Sequence, residues 1–127
     1  MKSRRILIVE DDSELVEALK TVLEGSGYVV ATATNREEAR AEAERERPDL
    51  AILDVMLDTV DEGVQITHEF RRSERLRDIP IIMLTAINQK MPLKIGREVE
   101  EGYLPVDRFM EKPVDPEELL EAVSELT

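Results

Sequence analysis

Short, dense runs of apolar residues alternate along the chain with longer amphipathic stretches, and this alternation constrains the fold more than any other feature. The first run, Ile6 to Val9, contains no polar residue, which is typical of a strand buried on both faces of a parallel sheet. Five such runs predict strands at 6–9, 28–33, 50–53, 79–84 and 106–110. Because strands separated by helices form βαβ units, we expect a three-layer α/β sandwich with right-handed crossovers.

The stretches between the runs have helical periodicity and residues typical of helix ends. Asp12 or Ser13 can cap the first helix, and Asp115 followed by Pro116 is a typical start for the last one. Between residues 88 and 106 the periodicity is weak, so the fourth helix region is predicted to be atypical. About five helices are expected, and the four clearer ones span 13–24, 36–47, 64–72 and 116–126.

Length and composition narrow the class of protein. The chain has 127 residues, which fits one domain spanning 1–127. It has no cysteine, and no apolar run approaches the roughly 18 residues that span a bilayer, so we expect a cytoplasmic protein that does not enter a membrane. The net charge of −12 would repel nucleic acid and anionic membrane surfaces, so direct binding to either is not expected.

Reactive side chains follow or end four of the predicted strands. The first run is followed by Glu10 and Asp11, the third by Asp54, the fourth by Thr85, and the fifth by Lys112 after one intervening residue. In open α/β sheets the ligand crevice lies at the carboxyl ends of the strands, so these groups are expected to meet there. Carboxylates a few ångströms apart repel one another and need a cation, and a site with only oxygen ligands favours Mg²⁺.

Asp54 is the best candidate for a nucleophile. It stands alone at the end of a central strand, whereas Glu10 and Asp11 adjoin one another and make better joint metal ligands. Lys112 offers a compact positive charge and Thr85 a hydroxyl donor, a pair suited to phosphoryl oxygens. With Mg²⁺ and Lys112 neutralising an incoming phosphoryl group, Asp54 could form an aspartyl phosphate.

Four motifs together resemble the receiver domain of two-component response regulators over nearly the whole chain. The motifs, in chain order, are Ile6-Leu7-Ile8-Val9-Glu10-Asp11-Asp12, Leu53-Asp54, Leu84-Thr85-Ala86 and Met110-Glu111-Lys112-Pro113. Each motif is weak alone, but the four in this order and spacing are specific. The resemblance implies a doubly wound, flavodoxin-like sandwich whose five parallel strands lie in the order 2-1-3-4-5.

The resemblance also implies a role for each site residue. A sensor histidine kinase or phosphotransfer protein would phosphorylate Asp54, with Mg²⁺ held by Glu10, Asp11, Asp54 and the backbone carbonyl of Met56. Thr85 and Lys112 would bind the phosphoryl oxygens, and the peptide bond between Lys112 and Pro113 would be cis. The domain would phosphorylate and dephosphorylate itself without turning over a free substrate, so it would not be an enzyme in the usual sense.

Signalling in such a domain depends on a two-state element. The resemblance implies that Thr85 moves towards the phosphoryl group and that the ring of Phe109 follows, which repacks the face formed by the fourth helix, fifth strand and fifth helix. That face would bind an output domain or a downstream protein, and a homodimer is a further arrangement that it allows. The sequence leaves open whether the chain is a stand-alone receiver or part of a longer regulator.

The chain departs from the family pattern in two regions. Asp58 stands where a proline is usual, in a loop that is longer than usual, and Thr85 and Lys112 are 27 positions apart, which is also more than usual. The family's rate-tuning positions are occupied by Met56 and Ile87, which are both apolar. We expect these two side chains to exclude the hydrolytic water, which would give a long-lived acyl phosphate.

Two other classes of protein remain as alternatives. A pseudo-receiver would keep the fold but act only as a binding module, without phosphorylation. A haloacid-dehalogenase-type phosphatase also uses an aspartate at a strand end, but it needs a second aspartate two positions later, where this chain has Met56.

Overall fold

The computed structural model describes residues 4–54, 62–86 and 106–127. Five strands and four helices lie in this part of the chain. The strands are β1 (Arg5–Val9), β2 (Val29–Ala33), β3 (Leu50–Asp54), β4 (Ile81–Ala86) and β5 (Arg108–Lys112). The helices are α1 (Ser13–Gly25), α2 (Arg36–Arg45), α3 (Glu62–Arg72) and α4 (Pro116–Leu126), which is the predicted fifth helix. Most of the region predicted to be atypical, and the 55–61 loop that contains Asp58, lie outside the described residues.

The five strands form one parallel sheet in the order β2-β1-β3-β4-β5. Helices α1 and α4 pack on one face of the sheet, and α2 and α3 pack on the other. The predicted three-layer, doubly wound sandwich is therefore confirmed. Since β1 and β3 are central, their carboxyl ends lie side by side in the middle of one edge of the sheet.

Each face of the sheet has its own apolar core, and β1 contributes alternate residues to both. Ile6 and Ile8 join the core under α1 and α4, whereas Leu7 and Val9 join the core under α2 and α3. Successive side chains of a strand point to opposite faces, so a strand in the middle layer must be apolar throughout. This requirement explains why the first and third runs in the sequence lack alternation.

The starts of α1, α2 and α4 are those predicted from capping residues, whereas α3 begins at Glu62, two residues earlier than predicted. Asp12 accepts hydrogen bonds from the N–H groups of Glu14 and Leu15 at 3.0 and 3.3 Å, and so caps α1. Asp115 caps α4 in the same way by accepting from the N–H of Glu117 at 2.9 Å. Helix α2 ends at Arg45, two residues earlier than predicted, because the chain before Pro48 is already extended at Glu46. No helix within the described ranges has both the length and the apolar character needed to cross a membrane.

The bounds predicted for β4 and β5 were wrong by two residues. Strand β4 begins at Ile81 rather than Ile79, and β5 spans Arg108–Lys112 rather than 106–110. Ile79 is fully buried and Val106 packs against the same core, so both are apolar without belonging to a strand. Lys112 is therefore the last residue of β5, whereas the sequence predicted that it would lie beyond the end of that strand.

Candidate functional site

Three strands deliver charged side chains to the carboxyl edge of the sheet. Glu10 follows β1 directly, and Asp54 is the last residue of the adjacent strand β3. Val9 and Leu53 are register partners, which places Glu10 level with Asp54. Lys112 ends β5, which is separated from β3 by β4, so its long side chain must cross one strand to reach the carboxylates.

The predicted acidic and basic residues meet in one cluster. Lys112 Nζ lies 2.8 Å from Asp54 Oδ2 and 3.3 Å from both carboxylate oxygens of Glu10. Ligand atoms of Glu10, Asp11 and Asp54 all lie within 4.8 Å of one another. Glu10 and Asp54 are buried, with 1% and 5% of their surface exposed, whereas Asp11 is open to solvent. The site thus has a buried floor and one solvated carboxylate at its mouth.

Burial and charge repulsion act together on Glu10. Loss of water around the carboxylate, followed by the hydrogen bond and negative charge of Asp54, raises the pKa of Glu10 to about 8 from its ordinary value of 4.5. The positive charge of Lys112 and the N–H of Asp12 oppose this rise without cancelling it. The Lys112 ammonium thus contacts two buried carboxyl groups, Glu10 and Asp54.

The same cluster also raises the pKa of Lys112, but here the rise favours the charged form. Burial lowers the pKa of Lys112, but the hydrogen bond to Asp54 and the charges of Glu10 and Asp54 outweigh burial, so its pKa is raised. The ammonium therefore stays charged at neutral pH, where it can bind a carboxylate or a phosphoryl oxygen.

The donor set fits a hard divalent cation. Three carboxylates without histidine or cysteine are the oxygen-only ligands that Mg²⁺ prefers, and the exposed side of Asp11 leaves room for the waters that Mg²⁺ retains. A divalent cation would also offset the repulsion that raises the pKa of Glu10. The residues present are therefore suited to the predicted metal, and Glu10, Asp11 and Asp54 are the side chains that would hold it.

The structure locates only some of the remaining predicted site residues. Thr85 lies in β4, level with Glu111 of β5, but the position of its hydroxyl is not described. Phe109 is half-buried and lies beside a groove of about 690 Å³ between β5 and α4, which Lys112 also lines. Met56 and Ile87 fall outside the described residues. The predicted cis peptide bond between Lys112 and Pro113 is confirmed.

One contact at the site was missed from the sequence. The backbone N–H of Asp12 donates to Glu10 Oε1 at 3.2 Å, while the Asp12 side chain caps α1. Asp12 therefore orients the buried carboxylate at the same time as it starts the helix. The signal was present in the run of three acidic residues, which placed a helix start directly after the predicted metal ligands.

Comparisons with known proteins agree with this geometry. The family model described as the response regulator receiver domain matches residues 6–124. A crystal structure of the chemotaxis response regulator CheY4 of Vibrio cholerae superimposes with a TM-score of 0.84 at 25% identity, covering 99% of this chain and 100% of that one. A CheY-like receiver domain protein from Methanospirillum hungatei has a TM-score of 0.82 at 31% identity, covering 98% and 93%.

Curated relatives are longer regulators. The alkaline phosphatase synthesis transcriptional regulatory protein PhoP of Bacillus subtilis is 39% identical over 92% of this chain and 45% of its own length. The DNA-binding dual master transcriptional regulator RpaA of Synechocystis is 38% identical over 96% of this chain and 48% of its own length. The chain thus spans about half the length of these relatives. The fold, the acidic cluster and the family match together lead to one conclusion: this chain belongs to the response regulator receiver domains, the switch domains of two-component signalling.

Proposed function

We propose that the chain is a phosphorylation-dependent switch in which Asp54 accepts a phosphoryl group from a sensor histidine kinase or phosphotransfer protein. The observation that carries the proposal is the contact of 2.8 Å between Lys112 Nζ and Asp54 Oδ2, beside the carboxylates of Glu10 and Asp11. The Lys112 ammonium bound to this carboxylate is poised to exchange it for a phosphoryl oxygen, since both are anionic acceptors.

The transfer is a displacement at phosphorus. An Asp54 carboxylate oxygen attacks the phosphorus of a phosphohistidine, the P–O bond forms, and the P–N bond breaks with its electron pair returning to the imidazole. Glu10, Asp11, Asp54 and the backbone carbonyl of Met56 would hold Mg²⁺, which when bound supplies positive charge to the phosphoryl oxygens. Lys112 neutralises a second phosphoryl oxygen, and the Thr85 hydroxyl donates to a third.

The same groups couple the reaction to a change of surface. When Lys112 and Thr85 turn towards the new phosphoryl group, β4 and β5 carry the change to Phe109, which lies on β5 beside the groove against α4. Phe109 is half-buried, so a second ring position is sterically reasonable at this point. The face around the predicted fourth helix, β5 and α4 would then change its affinity for an output domain, a downstream protein or a second copy of the chain in the cytoplasm.

The test is incubation of the purified chain with acetyl phosphate and Mg²⁺, followed by intact-mass measurement. We expect one added phosphoryl group in the wild type and none in Asp54→Asn, while Asp115→Asn, which alters an aspartate cap on α4, should react normally. Steady release of phosphate from unrelated phosphate esters would instead support a phosphatase. A folded protein that binds Mg²⁺ but gains no mass would support a pseudo-receiver.

Met56 and Ile87 are proposed to set the lifetime of the acyl phosphate. Both side chains are apolar and would exclude water from the phosphoryl group, so decay should be slow. Substituting Met56→Asn should speed hydrolysis in the presence of Mg²⁺ by allowing a water molecule to be oriented. A wild-type half-life as short as that of fast-decaying receivers would refute this part of the proposal.

A further inference from the structure

Asp107 binds both backbone polar groups of Ile81. The contact lies where the parallel strands begin, which we call the amino edge of the sheet. Its N–H donates to the carbonyl of Ile81 at 2.9 Å, and its side-chain Oδ2 accepts from the N–H of Ile81 at 2.8 Å. Ile81 is the first residue of β4, and Asp107 immediately precedes β5. The two contacts therefore fix how the start of β5 aligns with the start of β4.

Arg71 at the end of α3 holds the Asp107 carboxylate in place. Its Nη2 lies 3.2 Å from Asp107 Oδ2, and its Nη1 donates to the carbonyls of Arg77 and Ile79 at 2.7 Å each. The guanidinium thus joins the helix, the loop that leads into β4 and the residue that starts β5. The Arg71 side chain is 20% exposed and that of Asp107 is 40% exposed, so the ion pair itself is partly solvated, and the guanidinium is fixed mainly by its two carbonyl partners.

The alignment at Asp107 continues along the strand to Lys112. Ile81 and Asp107 are level at one edge, and five residues later Ala86 and Lys112 are register partners at the other. A slip of one residue would turn the Lys112 side chain to the opposite face of the sheet, and a slip of two would move it by about 7 Å. Either slip would break the contact of 2.8 Å with Asp54.

The same arrangement occurs a second time, which provides an internal control. Asp49 precedes β3, its N–H donates to the carbonyl of Arg5 at 2.7 Å, and its Oδ2 accepts from the N–H of Arg5 at 2.8 Å. Asp54 follows five residues later. Strand β3, however, is paired on both sides, whereas β5, among the strands that the structure describes, pairs with β4 alone. The register of β3 therefore has a second support that the register of β5 lacks.

We propose that Asp107, held by Arg71, is a positioning residue that sets the register of β5 on β4 and so places Lys112 against Asp54. The inference rests on the proposed function, because it concerns how Lys112 reaches the phosphoacceptor. Asp107 touches none of the reacting groups and acts through the strand alone. Its counterpart Asp49 stabilises the fold without controlling the site.

The test compares Asp107→Ala with Asp49→Ala, which removes the same side-chain contact from a strand paired on both sides. At a temperature where circular dichroism shows both variants fully folded, Asp107→Ala should be phosphorylated by acetyl phosphate about 10- to 100-fold more slowly than the wild type. Asp49→Ala should react at the wild-type rate. Both variants should still bind Mg²⁺ at least as tightly as the wild type, because the proposed ligands lie at the ends of β1 and β3 and because displacement of Lys112 would only free them. Weakened Mg²⁺ binding would indicate general damage to the site and not loss of positioning.

Two further variants test the contacts of Asp107 without removing its side chain. Asp107→Asn retains an oxygen that can accept from the N–H of Ile81 and should recover most of the rate, whereas Arg71→Gln should lower it even if Asp107→Ala fails to fold. A wild-type rate in Arg71→Gln and Asp107→Ala, or equal slowing of Asp49→Ala and Asp107→Ala, would overturn the inference. Failure of the wild type to be phosphorylated would instead count against the proposed function.

Discussion

Carboxylates are held in opposite ways at the two edges of the sheet. At the amino edge, Asp49 and Asp107 each accept a hydrogen bond from a strand N–H at 2.8 Å. At the carboxyl edge, Glu10 and Asp54 are buried next to one another and share the ammonium of Lys112. Burial, followed by the hydrogen bond and negative charge of Asp54, raises the pKa of Glu10 to about 8 at this edge.

The comparison shows that the carboxylates at the amino edge stabilise the fold, whereas those at the carboxyl edge destabilise it. Asp49 and Asp107 accept hydrogen bonds from backbone N–H groups that would otherwise lose a partner, so these contacts support the fold whether or not a cation is bound at the other edge. Glu10 and Asp54 repel one another, and their repulsion is relieved only by protonation, by Lys112 or by a bound cation. A site that is unfavourable without a ligand can respond strongly when one arrives.

Removal of Lys112 should have the largest effect. Lys112→Ala leaves Glu10 and Asp54 without their bound ammonium, and we expect phosphorylation by acetyl phosphate to slow by about 10²- to 10³-fold, as when a charge-stabilising donor is lost. The rate is measured by intact mass over time. Lys20→Ala, which removes an ammonium from α1, is the matched control and should react normally. An unchanged rate in Lys112→Ala would show that phosphorylation at the carboxyl edge does not depend on the Lys112 ammonium.

The pH dependence of the free energy of unfolding should reveal the raised pKa of Glu10. The folded pKa of Glu10 is raised above its ordinary value, so the folded state binds the proton more tightly than the unfolded state does. The resulting stabilisation is complete below about pH 4.5 and is lost as pH rises through about 8, by up to about 5 kcal/mol in total. Urea unfolding in EDTA measures this loss. Glu10→Gln, which mimics the protonated group, should flatten the profile, and a wild-type profile equally flat would contradict the assignment.

Added Mg²⁺ should reverse that loss at high pH. The ligands bind the metal only when deprotonated, so binding at pH 6 competes with the proton on Glu10, while binding at pH 8.5 does not. At ten times the dissociation constant measured at pH 8.5, Mg²⁺ should stabilise the fold by about 1.4 kcal/mol at that pH and by much less at pH 6. Equal stabilisation at both pH values would place the metal away from Glu10.

The smallest expected effect lies at the amino edge. Asp49→Ala leaves the N–H of Arg5 without its side-chain acceptor, which should lower the free energy of unfolding by about 1 kcal/mol. Because Asp49 lies at the opposite edge of the sheet from Glu10 and the proposed metal ligands, the loss should be the same at pH 5.5 and pH 8.5, with or without Mg²⁺. A loss that grew with pH would mean that the two edges are not independent.

The order of the elements could be predicted from the sequence because burial on both faces leaves a clear pattern. The apolar runs at β1 and β3 are strands that contribute to both cores, as their lack of alternation indicated. The starts of β4 and β5 could not be predicted in the same way. Ile79 is as apolar as a strand residue, but it packs into the core from a loop, and hydropathy alone does not distinguish the two cases.

Much of the candidate site could also be predicted, since the ends of parallel strands meet at one edge. Glu10, Asp11, Asp54 and Lys112 were named from their positions after apolar runs, and the structure brings them together. The contacts of Asp49 and Asp107 could not be named, because an aspartate before a strand is also an ordinary loop residue. Only the register between strands shows that each one meets the first residue of a neighbouring strand.

The most direct test is to identify the phosphorylated residue itself. After reaction with acetyl phosphate and Mg²⁺, borohydride reduces an acyl phosphate to an alcohol, and peptide mass spectrometry then locates the converted aspartate. We predict that Asp54 alone is converted and that the product disappears when Mg²⁺ is removed with EDTA. Conversion of Asp11 or of another carboxylate, or no conversion in protein shown to be folded, would contradict the proposal that this cluster directs a phosphoryl group to Asp54.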